Sequence, residues 1–192
     1  MNAAIHNPGG KVRLNLADGV HGDAMFAGEF DCYRLILTRK WVNLFTAGTR
    51  LPNNFVLWIG MNPSVADAKV DDPTLSKVID FSMEWGFDGL AMMNVCDYRA
   101  TAPAALLKPG VVPRSKGNLP LIRDTAKQAA KVICAWGNLH RDLVHFAVDV
   151  EDALRRDRHE LWCLGLNKGG SPKHPLYVRG DTPLIRFKEV PL

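Results

Sequence analysis

Residues 54–67 read NFVLWIGMNPSVAD and form the most informative segment of the sequence. The apolar run from Phe55 to Ile59 is typical of a strand that is buried on both faces of a parallel sheet. It leads directly into the short polar loop Gly60-Met61-Asn62-Pro63-Ser64. In open α/β sheets, ligands bind in the crevice beyond the carboxyl ends of the strands. The stretch therefore predicts a binding site after a central strand, although an ordinary strand-to-helix turn uses the same residue types.

Strand-like and helix-like segments alternate along the rest of the chain. Further strands are predicted at 89–95, 131–136 and 160–166, and helices at about 73–85, 119–130 and 139–157. This alternation is typical of parallel sheets with helices on both faces. We expect a three-layer α/β/α sandwich around a central, mainly parallel four-stranded sheet, with an N-terminal edge strand or hairpin containing Tyr33–Thr38. The chain is expected to comprise a flexible segment, 1–28, and a single domain, 29–192.

Composition places the chain among ordinary globular proteins. It has 192 residues, of which 47% are hydrophobic and 23% charged. No apolar run approaches the roughly 20 residues of a membrane span, and the N-terminus lacks a signal-peptide core. A cytoplasmic protein that does not bind membranes is expected. The net charge of +4 is compatible with a phosphate-bearing partner without requiring one.

The cysteines predict neither a metal site nor a disulfide framework. No two of them have CxxC spacing, so buried free thiols are expected at Cys32, Cys96, Cys134 and Cys163. No cofactor is predicted, because neither GxGxxG nor GxxxxGK[ST] occurs in the chain. Asp67, Asp71 and Asp72 form a weaker alternative site for a divalent metal. Helix capping by Asp72 already explains part of this acidic cluster, so no metal is predicted.

The loops that follow the four predicted strands should converge at one edge of the sheet. In chain order they bring Asn62, Ser64, Asp67, Asp71 and Asp72; Asn94, Asp97, Tyr98 and Arg99; Asn138 and His140; and Asn167, Lys168, Ser171, Lys173, His174 and Tyr177. So dense a set of polar side chains is typical of a catalytic or binding site. His174 either contacts a ligand or is a solvated loop histidine. Arg99 either clamps a phosphate or carboxylate or pairs with an aspartate of the first loop.

Two resemblances rest on longer motifs. The stretches YRLILTRKW (33–41), IGMNPSVADAKVDDPT (59–74), WGFDGLAMMNVCDYRAT (85–101) and CLGLNKGGSPKHPLY (163–177) resemble the bacterial and phage domain-of-unknown-function family number 1643. The order of motifs also resembles, more remotely, the uracil-DNA glycosylase superfamily. Residues 60–63 (GMNP) are similar to its first loop, 94–99 (NVCDYR) to its middle segment and 173–176 (KHPL) to its His-Pro loop.

The glycosylase resemblance implies a chemistry for these loops. Asn62 would position the attacking water, and His174 would contact the target base and stabilise its charge as it leaves. The predicted binding surface is completed by Gly60, Met61, Pro63, Ser64, Asp67, Asp72, Asn94, Tyr98, Arg99, Asn167, Lys173, Pro175 and Tyr177. The implied function is binding or processing of a nucleobase, nucleotide or nucleic acid, by hydrolysis of an N-glycosidic bond.

The chain also departs from that superfamily. Leu176-Tyr177 replaces the usual Ser-Pro after the His-Pro pair, there is no activating aspartate at position 62, and the iron–sulfur cysteine spacing is missing. These departures favour the alternative function, a non-catalytic nucleotide or nucleic-acid binding module or sensor on the same fold. The oligomeric state is not predicted.

Overall fold

A computed structural model describes residues 12–41 and 51–188 of the chain. Its strands are β1 (Leu14–Asn15), β2 (His21–Ala27), β3 (Tyr33–Lys40), β4 (Phe55–Gly60), β5 (Val70–Asp71), β6 (Gly89–Asn94), β7 (Lys131–Cys134), β8 (Leu161–Cys163) and β9 (Ile185–Arg186). Seven of these form one sheet in the order β2-β3-β6-β4-β7-β8-β9, and β1 pairs with β5 separately. The neighbours β6, β4, β7 and β8 run parallel, whereas β2, β3 and β9 each run antiparallel to their neighbours.

The α/β class predicted from the sequence is confirmed, and the sheet has seven strands, compared with the four central strands and the N-terminal edge strand or hairpin expected. The antiparallel pair β2–β3 extends one edge of the four parallel strands, and β9 extends the other. β2 lies inside the segment 1–28, for which the sequence predicts flexibility, and it pairs with β3 over residues 21–27. The ordered sheet therefore begins before residue 29. Residues 1–11 of that segment and the tail at 189–192 lie outside the described residues.

The helices are α1 (Pro73–Glu84), α2 (Asn118–Ala126) and α3 (Val144–Arg156). Asp72 caps α1 by accepting a hydrogen bond from the backbone N–H of Leu75 (2.9 Å), as its residue type predicts. Alternate residues of β4 enter two apolar clusters, one shared with α1 and the other with α2 and α3. Helices thus cover both faces of the sheet, and the edge at the carboxyl ends of the parallel strands remains open to the loops.

Two expectations from composition can be compared with this structure. None of the helices in the described residues is long and apolar enough to cross a membrane, while a cytoplasmic location stays a prediction. All four cysteines are free thiols; Cys96, Cys134 and Cys163 are buried, as predicted, and Cys32 is half-buried. Burial raises the pKa of the Cys96 thiol to about 12, so this residue is protonated at neutral pH and is a poor nucleophile.

Candidate binding cleft

A cleft of about 620 Å³ lies at the carboxyl ends of the parallel strands. The segments after β4, β6, β7 and β8 form its walls together with the start of α1. Sites for small molecules typically enclose about 300–1,000 Å³, so this cleft has the size of a ligand-binding site. The predicted site residues that line it are Gly60, Met61, Asn62, Ser64, Asp72, Asn94, Asn167, Lys173, His174 and Tyr177.

Asn62 uses its amide nitrogen to hold the loop after β4. Nδ2 donates hydrogen bonds to the carbonyl oxygens of Pro63 (3.1 Å) and Ala100. Both amide hydrogens are therefore occupied, and Oδ1 accepts no hydrogen bond from the described residues. Since Asn62 lines the cleft, Oδ1 is the polar atom that remains for a water molecule or a ligand donor.

His174 is a neutral imidazole with a defined tautomer. Nδ1 accepts a hydrogen bond from the backbone N–H of Leu176 (3.3 Å), which leaves the ring proton on Nε2. Burial lowers the pKa of His174, and the carboxylate of Asp72, which also lines the cleft, opposes this effect. At neutral pH the side chain therefore offers an uncharged Nε2–H donor. Gly137 (φ +69°) permits this packing, because a Cβ there would lie 3.1 Å from the His174 Cβ.

The floor of the cleft, which we define as Arg34, Gly60, Met92 and Asn94, comes from the neighbouring strands β3, β4 and β6. All four residues are buried. A Cβ at position 60 would lie 2.7 Å from Met92 Cε and 2.8 Å from Asn94 Nδ2, so these two side-chain ends would have to move if residue 60 were not a glycine. Arg34 donates from Nη2 to Asn94 Oδ1 (3.1 Å) and from Nη1 to the carbonyl oxygen of Ala66 (3.1 Å).

Arg34 is a buried charge without an ion pair. Its exposed fraction is 3%, and no carboxylate in the described residues lies within ion-pairing distance of it. Burial lowers the pKa of Arg34 to about 10, while Asp72 opposes this effect, so the guanidinium remains charged at neutral pH. Sequence reasoning did not place Arg34 in the site. The one signal available was an arginine inside the apolar strand pattern of residues 33–38.

A hydrogen-bonded bridge joins the loops after β7 and β8 at one wall of the cleft. Ser171 Oγ donates to Asn138 Oδ1 (2.6 Å) and accepts from Asn167 Nδ2 (3.0 Å).

Tyr177 stands at the mouth of the cleft with 84% of its surface exposed, and its ring centroid lies 5.6 Å from that of His174. Other lining residues that the sequence did not predict for the site include Thr74, Thr101, Trp136 and Gly137.

Five predicted site residues do not line the cleft, namely Pro63, Asp67, Tyr98, Arg99 and Pro175. Asp67 closes a turn, because its Oδ1 accepts two backbone N–H bonds (2.8 and 3.0 Å). The Arg99 guanidinium lies over the ring of Phe26, 4.8 Å from its centroid, and Nη1 donates to the carbonyl oxygen of Asp31 (3.1 Å). The arginine at the cleft is therefore Arg34 and not Arg99.

The acidic residues of the first loop have partners within the protein. Asp71 pairs with Arg39 (2.7 Å) in the interior, and Asp72 caps α1. Across residues 12–41 and 51–188, no group of three or more His, Cys, Asp or Glu side chains is placed to hold a metal ion. The contacts of these aspartates account for their positions by the fold alone.

Fold and cleft together define an α/β protein with a ligand-sized cleft at the ends of its parallel strands. The chain belongs to the family described as Protein of unknown function (DUF1643), which matches residues 34–176. The matched segment begins at Arg34 and includes Asn62 and His174, so it contains the floor of the cleft and these two lining residues. Comparison with curated proteins and with solved structures found no match.

Proposed function

We propose that this chain is a glycosylase-like domain that binds a nucleobase, nucleotide or nucleic acid and hydrolyses its N-glycosidic bond. The observation that carries the proposal is the meeting of Asn62 and His174 in one cleft, although 112 positions separate them. In Asn62 the Nδ2 donor is engaged by backbone carbonyls and the Oδ1 acceptor remains available. In His174 the Nδ1 acceptor is engaged by a backbone N–H and the Nε2–H donor remains available. A uracil-DNA glycosylase-like sandwich is part of this proposal.

The two groups fit the two needs of glycosidic hydrolysis. Asn62 Oδ1 would accept a hydrogen bond from the attacking water and fix its position beside the sugar carbon. The neutral His174 would donate from Nε2 to the departing base, where negative charge develops as the bond breaks. Ser64 and Lys173, which also line the cleft, would contact the sugar or phosphate. A base within duplex DNA would have to leave the stack to enter the cleft.

A specific observation favours the second candidate, a non-catalytic nucleotide or nucleic-acid binding module or sensor. Asp72 is the only carboxylate among the described residues that line the cleft, and its Oδ1 already caps α1. A water molecule would therefore lack a strong general base, and the His-Pro-Leu-Tyr sequence at 174–177 lacks the usual wedge. A binding module needs neither feature, because fold does not fix activity.

The test measures base release and binding together. Nucleosides, nucleotides, uracil-containing single strands and uracil-containing duplex are incubated with the protein, and free base is measured by chromatography. We expect Asn62→Ala to abolish release while the melting temperature stays within a few degrees. Asn54→Ala is the matched control, because Asn54 precedes β4 at its opposite end and donates to the Gly86 carbonyl oxygen (3.0 Å).

The outcomes separate the two candidates. Release by the wild type that is unchanged in Asn62→Ala would refute the role of Asn62. Binding without release, by both the wild type and the variant, would replace the hydrolase with the binding module. A DNA affinity that falls steeply with salt would indicate phosphate contacts. Absence of both release and binding across these substrates would reject both candidates.

A further inference from the structure

Arg34 has more hydrogen-bonding capacity than the protein uses. A guanidinium carries five N–H donors, and with the described residues Arg34 makes two hydrogen bonds, to Ala66 O and to Asn94 Oδ1. Both acceptors are neutral. Among the described residues, the buried Nε has no hydrogen-bond partner, and one N–H on each of Nη1 and Nη2 is also unused. Side chains of this kind cost folding free energy when buried, because their charge loses water without gaining a counter-ion.

The nearby carboxylates do not neutralise this cation. Asp72 and Asp67 act on the pKa of Arg34 through space, but Asp72 caps α1 and Asp67 closes its turn. Arg39, by contrast, is equally buried and pairs directly with Asp71 (2.7 Å). Within the same strand, one buried arginine thus pairs with a carboxylate, and the other has no paired carboxylate in the part of the chain that the structure describes.

The location of Arg34 at the cleft indicates which chemical class of ligand its guanidinium would bind. Arg34 belongs to the floor of the cleft, and the other charged groups on the described lining are Lys173 and Asp72. The lining therefore carries one net positive charge at neutral pH, because the burial of His174 keeps that residue neutral. A guanidinium in such a position binds phosphate or carboxylate oxygens strongly, since little water competes for its donors.

We propose that Arg34 binds the phosphate monoester of a free nucleotide at the floor of the cleft, so that the ligand is a mononucleotide. The base and the sugar of this ligand rest on the proposed function. The phosphate group is inferred from the Arg34 guanidinium, which has no paired carboxylate among the described residues. Phosphates of a duplex lie on the outside of a long polymer and are usually met by exposed cations. A buried cation behind a cleft of about 620 Å³ is suited to an anion small enough to enter.

The experiment compares ligands that differ by one group. Isothermal titration calorimetry measures binding of deoxyuridine, deoxyuridine 5′-monophosphate, ribose 5-phosphate, inorganic phosphate and a deoxyuridine oligonucleotide without terminal phosphates. Wild type is expected to bind the monophosphate at least tenfold more tightly than the nucleoside, and inorganic phosphate should compete with it. In Arg34→Gln this preference should disappear. Arg34→Lys keeps the charge without the planar fork and should keep part of the preference.

Arg123→Gln is the matched control, because Arg123 pairs with Asp157 on the exposed surface (2.7 Å) and does not line the cleft. It should bind every ligand as the wild type does. Circular dichroism and melting temperatures establish that each variant is folded. If neither Arg34 variant folds, the wild-type ratio of monophosphate to nucleoside affinity and the competition by phosphate decide the question.

The failures of the two proposals are distinguishable. Equal affinity of the wild type for nucleoside and monophosphate would overturn the role of Arg34 and leave the base-binding function in place. Ribose 5-phosphate that binds as tightly as the nucleotide would uphold Arg34 and contradict recognition of a base. An oligonucleotide that binds more tightly than the monophosphate and loses affinity in Arg34→Gln would replace the free nucleotide by a DNA strand. No binding of any phosphate-bearing ligand would overturn the inference.

Discussion

Replacing Asp71 by Asn removes the counter-ion of a buried arginine and should destabilise the protein strongly. Asp71 Oδ1 accepts hydrogen bonds from Arg39 Nε (2.9 Å) and Nη2 (2.7 Å), and the two side chains are 5% and 0% exposed. Arg39 also donates to the carbonyl oxygens of Asp67 (2.6 Å) and Val70 (3.2 Å). Through these bonds the guanidinium fastens the segment that ends in the N-cap of α1 to strand β3.

The magnitude follows from the burial of this pair. Removing one partner of a buried ion pair typically costs about 3–5 kcal/mol, because the other charge is left uncompensated. Asparagine keeps one acceptor for Arg39, so we expect the lower end, about 3 kcal/mol. For a domain of this size, that corresponds to a fall in melting temperature of about 6–12 °C. This loss is the cost of breaking the pair and not the net stabilisation that the intact pair provides. Burial raises the pKa of Asp71 despite the nearby Arg39, which shows that desolvation opposes the formation of the intact pair.

Urea unfolding at pH 7.5, followed by tryptophan fluorescence, measures the loss. Trp58 is buried and stacks on Trp85 with 5.7 Å between ring centroids, so unfolding should change its emission. Asp157→Asn is the control, since its partner Arg123 is exposed and surface pairs are worth about 0–1 kcal/mol. A loss in Asp71→Asn no larger than in Asp157→Asn would refute the reasoning. The reasoning would also be refuted if a double-mutant cycle of Asp71→Asn and Arg39→Met showed no favourable interaction free energy between the two side chains.

Two further predictions concern the cleft. Burial lowers the pKa of His174 below its usual 6.5. At a pH between the pKa values of the folded and unfolded protein, the unfolded chain therefore binds more protons, and the free energy of unfolding should fall as the pH drops below 6.5. This contribution should vanish in His174→Gln, and superimposable stability–pH curves for the two proteins between pH 5.5 and 7.5 would contradict it. Gly60→Ala should cost about 1–3 kcal/mol in urea unfolding, because the buried ends of the Met92 and Asn94 side chains would have to shift away from the added Cβ. Gly169→Ala, where nothing lies within 4 Å of the added Cβ, should cost less, and equal losses would argue against a tightly packed floor.

Local sequence patterns are sufficient for the centre of the fold. The apolar run at 55–59 predicts β4, because a strand that is covered on both faces is apolar at every position. The Asp72-Pro73 pair predicts the first residue of α1, because capping depends on neighbouring residues alone. These features require no knowledge of distant parts of the chain. The alternation of elements is therefore predicted correctly even where helix ends differ by several residues.

The edges of the sheet depend on long-range pairing and were harder to predict. β2 has the sequence HGDAMFA, in which Gly22 and Asp23 disfavour a strand, yet β3 pairs along it. β9 is two residues long and carries no pattern of its own. Arg34 and Arg39 interrupt the apolar pattern of β3 and would locally suggest an exposed edge. Their contacts come from residues that are distant in sequence, namely Ala66 and Asn94 for Arg34 and Asp71 for Arg39.

The same limit applies to the cleft, because residue type and loop position do not show which polar groups are engaged by the fold and which remain available to a ligand. In Asp67 and Asp97, a carboxylate oxygen accepts hydrogen bonds from backbone N–H groups of a turn or loop, and these bonds explain the positions of both residues. Asn62, His174 and Arg34 line the cleft and each leaves a strong donor or acceptor unused by the described residues. Partial satisfaction at a ligand-sized cleft is costly unless something else binds there. Substitution of the first pair should therefore lower stability, whereas substitution of the second group should lower ligand affinity.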